Sequence, residues 1–313
     1  MTFIPSNQVP QEFSTNGSIT AELFSPLPRG RTLFNTGMTV IAFALTALAL
    51  LPLFAVLISI LVKGIPHLKL DVFTSLPAPP GGLTNRPNGF ANAIIGTVMM
   101  VGIASLLSLP FGIITGIFLA EFGHRSALVS VVRFLTTILT GVPSIIFGVF
   151  VYGVIVLNSS PKGFSAVAGG IALALIMLPI VALTTEQALK LVPQHNRLGS
   201  AALGASRLQT TFRIVVSAAI PAITTGFLLA LARAAGETAP LVFTALLGYS
   251  PDWPQGFFNP TPSLAVLIYN YATSPETEQN QIAWTAALVL VGLVLGVSIF
   301  SRLVTSKRLK IRG

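Results

Sequence analysis

Two charged side chains, Arg233 and Glu237, stand four residues apart inside a stretch of otherwise apolar or small residues from Pro221 to Leu247. On a helix this spacing places both groups on one face, where they can pair. An arginine at the centre of a membrane helix costs roughly 2.5–3.5 kcal/mol, so such a residue faces protein or a water-filled path. A planar guanidinium can bind an oxyanion through forked hydrogen bonds. A second interpretation stays open, in which Glu237 only neutralises Arg233 for helix packing.

The composition of the whole chain is that of a membrane protein. Of its 313 residues, 53% are hydrophobic and 9% are charged, and the mean hydropathy is +0.82. Soluble domains usually carry about 25% charged residues. The absence of cysteine excludes disulfides, thiolate metal sites and a cysteine nucleophile. The three histidines lie far apart in sequence, so we expect no metal site.

Long apolar segments predict an all-α polytopic protein with six transmembrane helices. The predicted spans are Leu33–Val62, Phe90–Ala120, Ala127–Leu157, Ala166–Thr185, Val215–Leu247 and Ile282–Leu303. A continuous helix over the fifth segment would be roughly 50 Å long at ~1.5 Å per residue, whereas the hydrocarbon core is about 30 Å thick. We therefore expect a break at Gly236 or Pro240. Gly141, Pro143 and Gly148 interrupt the third segment.

The distribution of basic residues predicts the orientation. Of the 18 lysines and arginines, thirteen fall on the side of the two termini and four on the other side, with Arg233 inside a span. Positive charge collects on the cytoplasmic side, so both termini are predicted to be cytoplasmic. The expected organisation is a flexible cytoplasmic tail at 1–32, a transmembrane domain at 33–305 and a basic cytoplasmic tail at 306–313.

The same rule places the polar segment 186–213 in the cytoplasm. Its small apolar residues around Ala201 and Ala202 favour a short helix that enters a groove on a partner protein. A plain solvated connector is an equal alternative from composition alone.

This segment resembles the coupling loop of ABC importer permeases, in which Glu-Ala-Ala, three residues and a glycine precede a proline near the next span. Gly204 falls on the signature glycine and Pro221 on the later proline. The chain departs from the signature at Leu198, which replaces the usual glutamate. The resemblance implies that the residues contacting an ATPase are Leu198, Gly199, Ser200, Ala201, Ala202, Gly204 and Ala205.

Further motifs resemble a narrower family, the PstA-type permeases of phosphate ABC importers. The motifs are Pro110–Ile113, Phe118–Glu121, Gly141–Gly148, Thr184–Leu189 and Ala232–Leu241. The last one reads Ala-Arg-Ala-Ala-Gly-Glu-Thr-Ala-Pro-Leu, and its Ala-Pro favours PstA over the sister permease. The resemblance covers roughly residues 35 to 305. Leu183 stands where relatives often have an arginine, which weakens the case for a second phosphate-guiding arginine.

The resemblance implies a MetI-like type I importer fold in the bacterial inner membrane and a phosphate path through Arg233, Glu237 and Thr238. It also implies three kinds of partner: a PstC-like second permease, a PstB-like ATPase dimer and an external PstS-like phosphate-binding protein. The chain lacks the G-x-x-x-x-G-K-[ST] motif, so ATP and Mg²⁺ are expected on the ATPase and no enzymatic activity on this chain. The alternatives are a permease for another oxyanion, such as molybdate or sulfate, and a secondary transporter or channel.

Overall fold

The computed structural model describes residues 29–79, 88–122, 127–159, 163–245 and 252–310, and these residues lie in helices or in the connections between them. Most of the expected N-terminal tail, residues 1–28, and residues 311–313 of the basic C-terminal tail fall outside these ranges. The chain divides into two compact units, Met1–Ile58 and Ser59–Gly313.

Helices make up most of the described part of each unit. In chain order they are α1 Arg29–Gly64, α2 Asp71–Thr74, α3 Ala91–Ile117, α4 Ala127–Gly141, α5 Ser144–Val151, α6 Ala166–Lys190, α7 Gln194–Ala202, α8 Arg207–Gln209, α9 Val216–Ala235, α10 Ala239–Thr244, α11 Leu264–Ala272 and α12 Thr277–Lys310. Within the described ranges, three π-helical segments extend this list, namely Phe118–Phe122 after α3, Tyr152–Val156 after α5 and Thr210–Val215 between α8 and α9.

Five helical segments of the described chain are long and apolar enough to cross a membrane. They are Gly30–His67, Ala91–Phe122, Ala166–Lys190, Arg207–Ala235 and Thr277–Thr305. A sixth span exists if α4 and the helix from Ser144 to Val156 are counted together, although the two are bent by 101°. The bend lies at Val142 and Pro143, because proline restricts the residue before it and disrupts a continuous helix. The polytopic helical prediction is confirmed, with five to six spans.

The first unit is described through the N-terminal part of α1, residues 29–58. Its large apolar side chains are exposed along its length, for example Leu33, Phe43 and Leu53. A helix that is apolar on every side is stable when lipid or other protein surrounds it.

The core of the second unit is centred on α6, which packs against α3 and α9. Small residues let α3 and α6 approach closely. A Cβ added to Gly112 would lie 2.8 Å from the Val181 Cβ, and one added to Gly116 would lie 2.6 Å from the Thr185 Cβ. Small residues at such contacts are typical of membrane helices, where van der Waals packing rather than the hydrophobic effect drives association.

The fifth predicted span breaks where expected. Helix α9 ends at Ala235 and α10 begins at Ala239, with Gly236, Glu237 and Thr238 between them. Pro240 lies in the first turn of α10, a position where the missing N–H of proline has no helical partner to lose.

The structure differs from the predicted boundaries at several places. The connection between the fifth and sixth predicted spans contains α11, which the sequence interpretation missed because nine residues are too few to span a bilayer. Ser263 caps α11, its hydroxyl accepting a hydrogen bond from the Val266 N–H at 3.2 Å. Helix α1 begins at Arg29, before the predicted start of the transmembrane domain. Helix α12 continues to Lys310, into the predicted basic tail.

Candidate functional site

The predicted ion pair at the end of α9 is present. Arg233 Nε donates to Glu237 Oε1 at 3.4 Å. The two side chains differ in accessibility, since Arg233 is 50% exposed and Glu237 only 16%. The pair straddles the helix break, because Arg233 belongs to the last turn of α9 and Glu237 follows it. This places a half-exposed cation at the point where the span is interrupted.

Arg233 also lines a small cavity with residues from the bent helix pair. The cavity has a volume of about 10 Å³, which is room for about one water molecule. Its wall includes Thr140 from the end of α4, Ser144 from the start of α5, and Ile176 and Ile180 from α6. The polar side chains at this wall are Thr140, Ser144 and Arg233. Because the lining comes from both segments, the break after α9 lies beside the bend between α4 and α5.

A close backbone contact fixes that meeting point. A Cβ on Gly148 would lie 2.6 Å from the Cα of Pro240 and 3.0 Å from its carbonyl oxygen. Only glycine permits α5 to pack this tightly on α10. The motif Gly141–Gly148 and the motif Ala232–Leu241 therefore form one structural unit, although the sequence separates them widely.

Thr238 lies beside the ion pair rather than within it. Its carbonyl oxygen accepts the backbone N–H groups of Leu241 at 3.1 Å and Val242 at 3.2 Å, which starts α10. Its side chain is half-buried, and in this described segment its hydroxyl does not cap the helix. Of the three predicted path residues, Arg233 and Glu237 are thus in contact and Thr238 adjoins them.

The predicted coupling segment contains a short helix, α7, with an exposed surface. Leu198 is exposed, as are Gly199, Ala201, Ala202 and Gly204, whereas Ser200 and Ala205 are half-buried. The Ser200 hydroxyl lies 2.9 Å from the Thr210 hydroxyl in the π-helical segment before α9, which ties α7 to the next span.

Gly204 ends α7 in the left-handed conformation, with φ at +78°. Its N–H donates to the Ala201 carbonyl at 3.0 Å, and the Ala205 N–H donates to the Ser200 carbonyl at 3.2 Å. This pair of bonds is the Schellman termination, which favours glycine at that position. A Cβ on Gly204 would have open space within 4 Å, so the backbone conformation rather than packing within this chain requires the glycine.

Two arginines fasten the coupling segment to the ends of α3 and α6, and the sequence interpretation assigned neither a role. Arg197 on α7 binds Glu121 Oε1 at 2.8 Å and the carbonyls of Leu189 at 2.8 Å and Val192 at 2.5 Å. Arg207 donates to the Glu121 carbonyl oxygen. One feature of the sequence could have indicated this contact. The carboxylate of Glu121 follows the second predicted span, and the arginines lie on the same, predicted cytoplasmic, side of the membrane.

A second charge cluster, also missed, lies at the end of α6. The Glu186 side chain is only 4% exposed. Its carboxylate forms ion pairs with Arg133 of α4 at 2.5 Å and with Lys190 of α6 at 2.6 Å. An enclosed carboxylate is tolerated when cations and hydrogen bonds compensate its lost hydration. The Thr184–Leu189 motif therefore holds a junction between two helices.

The described residues contain no group of three or more His, Cys, Asp or Glu side chains that could hold a metal ion. The half-exposed guanidinium of Arg233 has donors of the kind that suit an oxyanion, and the bonds of Arg197 and Arg207 connect the coupling segment to the ends of α3 and α6.

Comparison with known proteins agrees with this architecture. Residues 112–310 match the family described as binding-protein-dependent transport system inner membrane component. Among solved structures, a bacterial alginate ABC transporter shares the fold with a TM-score of 0.60 and 13% identity, over 87% of this chain and 94% of that one. The MetNI methionine ABC transporter in an inward-facing conformation gives a TM-score of 0.57 and 17% identity, over 69% of this chain and 94% of that one.

Curated relatives narrow the family. The phosphate transport system permease protein PstA of Haemophilus influenzae is 45% identical over 79% of this chain and 85% of its own length. A probable PstA of Methanocaldococcus jannaschii is 39% identical, over 81% of this chain and 87% of its own length. PstA 1 of Mycobacterium tuberculosis strain H37Rv is 33% identical, over 90% of this chain and 91% of its own length. The chain therefore belongs to the PstA family of phosphate transport system permeases.

Proposed function

We propose that this chain is the permease subunit of an ATP-driven importer and that it moves inorganic phosphate into the cell by alternating access. The relatives named as phosphate transport permeases support the substrate. The observation that carries the mechanism is the half-exposed Arg233 at the break in its span, because an arginine in that position faces a path rather than lipid.

The geometry of the ion pair suits transient binding of an oxyanion. Glu237 bonds to the Nε of Arg233, which leaves the two terminal amino groups of the guanidinium to meet phosphate oxygens. Planar forked donors of this kind match a phosphate better than an ammonium does. Glu237 would repel a phosphate, so its role is to orient Arg233 and to compete with the ligand for it. A cavity of about 10 Å³ is too small for phosphate, so the helices that line it, α4, α5 and α6, must move away from Arg233 before the ion passes.

The proposed energy source lies outside this chain. An ATPase dimer binds ATP and Mg²⁺, and its closure pushes on the coupling segment through Leu198, Gly199, Ala201, Ala202 and Gly204, which are exposed. Ser200 and Ala205, the two half-buried residues of the predicted set, complete the coupling residues. A second permease completes the path, and an external binding protein delivers phosphate. Both termini then lie in the cytoplasm and the complex lies in the inner membrane of the cell.

Purification of a tagged copy from its own cells tests this function. We expect an ATP-hydrolysing subunit and a second permease to co-purify. In liposomes supplied with the binding protein, uptake of labelled phosphate should require ATP, and a tenfold excess of sulfate or molybdate should leave it unchanged. Uptake without an ATPase would indicate a secondary transporter or channel, and inhibition by sulfate or molybdate equal to that by unlabelled phosphate would indicate a permease for another oxyanion.

A further inference from the structure

The cluster around Glu186 has an arrangement that helix stability alone does not require. Its carboxylate binds one cation from its own helix, Lys190, and one from a different helix, Arg133. Both partners are about half-exposed, at 54% and 45%, so either one can compensate the charge. They differ in one respect, which is that only Arg133 joins two helices.

Glu186 lies next to the coupling segment along the chain. Helix α6 ends at Lys190, and Leu191, Val192 and Pro193 lead directly into α7. Arg197 of α7 donates hydrogen bonds to the carbonyls of Leu189 and Val192 at this end of α6. A push on α7 is therefore delivered to the end of α6 that carries Glu186.

Arg133 lies on the helix that forms a wall of the Arg233 cavity. Arg133 and Thr140 are seven residues apart on α4, so they share one face and are separated by about 10 Å. Leu139 and Thr140 line the cavity, and the chain continues through the bend into α5, which packs on Pro240. A displacement of α4 along its axis would change the cavity at Arg233.

From these contacts we infer that the Arg133–Glu186 ion pair transmits movement of α7. The movement passes from α7 to α6, through the ion pair to α4, and so to the cavity at Arg233. The inference rests on the proposed transport function. Arg133 and Glu186 are positioning residues in this account and do not touch the substrate. A direct charge-assisted bond suits the task, because two packed helices without it can slide along one another.

The alternative is that Arg133 merely neutralises a buried carboxylate. This alternative makes Arg133 and Lys190 equivalent, and it makes both dispensable once the carboxylate is removed. The double variant Arg133→Gln/Glu186→Gln separates the two accounts, since it leaves no buried charge and also no ionic link.

The experiment uses the complex that co-purifies with the tagged chain, reconstituted in liposomes with the external binding protein. The quantity measured is labelled phosphate transported per ATP hydrolysed, at matched amounts of assembled complex. We expect Arg133→Gln and the double variant to lower this ratio about tenfold, while the rate of ATP hydrolysis persists. Lys190→Gln, the matched control, should stay within about twofold of wild type, and Arg133→Lys should recover most of the ratio because it keeps the charge across the helices.

A normal ratio in the double variant would overturn the inference, and so would an equal loss in Lys190→Gln. Failure of the double variant to assemble would also overturn it, because the pair would then belong to folding. A failure of the proposed function gives a different result from a failure of this inference. If the proposed function is wrong, the wild-type complex itself will show no ATP-dependent phosphate uptake.

Discussion

The Arg233–Glu237 ion pair, at the break after α9, differs from the charge clusters around Glu186 and Glu121 in how completely its charges are satisfied. Arg233 has a single carboxylate partner at 3.4 Å and a half-exposed side chain. Glu186 and Glu121 are enclosed and meet their arginines at 2.5 Å and 2.8 Å. Arg133 is about as exposed as Arg233, at 45% against 50%, so the difference lies in the bonds. Short bonds to an enclosed carboxylate hold helices together, whereas a single bond of 3.4 Å leaves donors available. Under the proposed function, the difference fits transmission of movement by the clusters at Glu186 and Glu121 and binding of the passing ion by Arg233.

The comparison predicts the largest effect at Arg233. Arg233→Ala should lower phosphate uptake at least about thirtyfold, which corresponds to a loss of ~2 kcal/mol or more. The amount of assembled complex should stay near that of wild type, because a half-exposed arginine contributes little to folding. Arg233→Lys should restore uptake only in part, since an ammonium lacks the planar fork. Uptake assays on cells with matched membrane expression measure both.

A smaller effect on uptake is expected when the bonds that hold α7 to Glu121 and to the end of α6 are removed. Arg197→Gln removes bonds to Glu121 and to two carbonyls at the end of α6. Because Arg197 is a quarter exposed, we expect a loss of roughly 1–2 kcal/mol, or about tenfold in coupled uptake. Arg213→Gln is the matched control, since Arg213 is exposed on the same side. Equal uptake by the two variants would show that the Arg197 bonds have no part in coupling.

The smallest effect concerns the end of α7. Gly204→Ala places a side chain at a positive φ and should cost roughly 1 kcal/mol, which reduces coupled assembly about fivefold. Gly199→Ala is the control, because it lies inside α7 with open space around it and alanine favours helix. Pull-down of the ATPase with the tagged chain measures the difference. A larger loss for Gly199→Ala would place the sensitive contact on the helix face instead of at its termination.

The sequence predicts features that arise within one helix, and it misses those that join distant segments. Helical periodicity pairs Arg233 with Glu237, and the length of the fifth span requires a break near Gly236. The bond from Arg197 to Glu121 connects positions 76 apart, and the bond from Arg133 to Glu186 connects positions 53 apart. No local pattern encodes such contacts, because they depend on which helices pack together. Helix α11 escaped prediction for a related reason, since its short apolar run is stabilised by α3 and α12.

The most direct test of the role of Arg233 is phosphate uptake by the double variant Arg233→Ala/Glu237→Ala, compared with Glu237→Ala alone at matched membrane expression. If the pair only neutralises charge for packing, Glu237→Ala leaves an uncompensated arginine and the double variant recovers function. If Arg233 binds the passing ion, the double variant stays inactive because the oxyanion-binding group is gone. We predict inactivity of the double variant with normal assembly; uptake near the wild-type level would contradict the account and return the pair to a structural role.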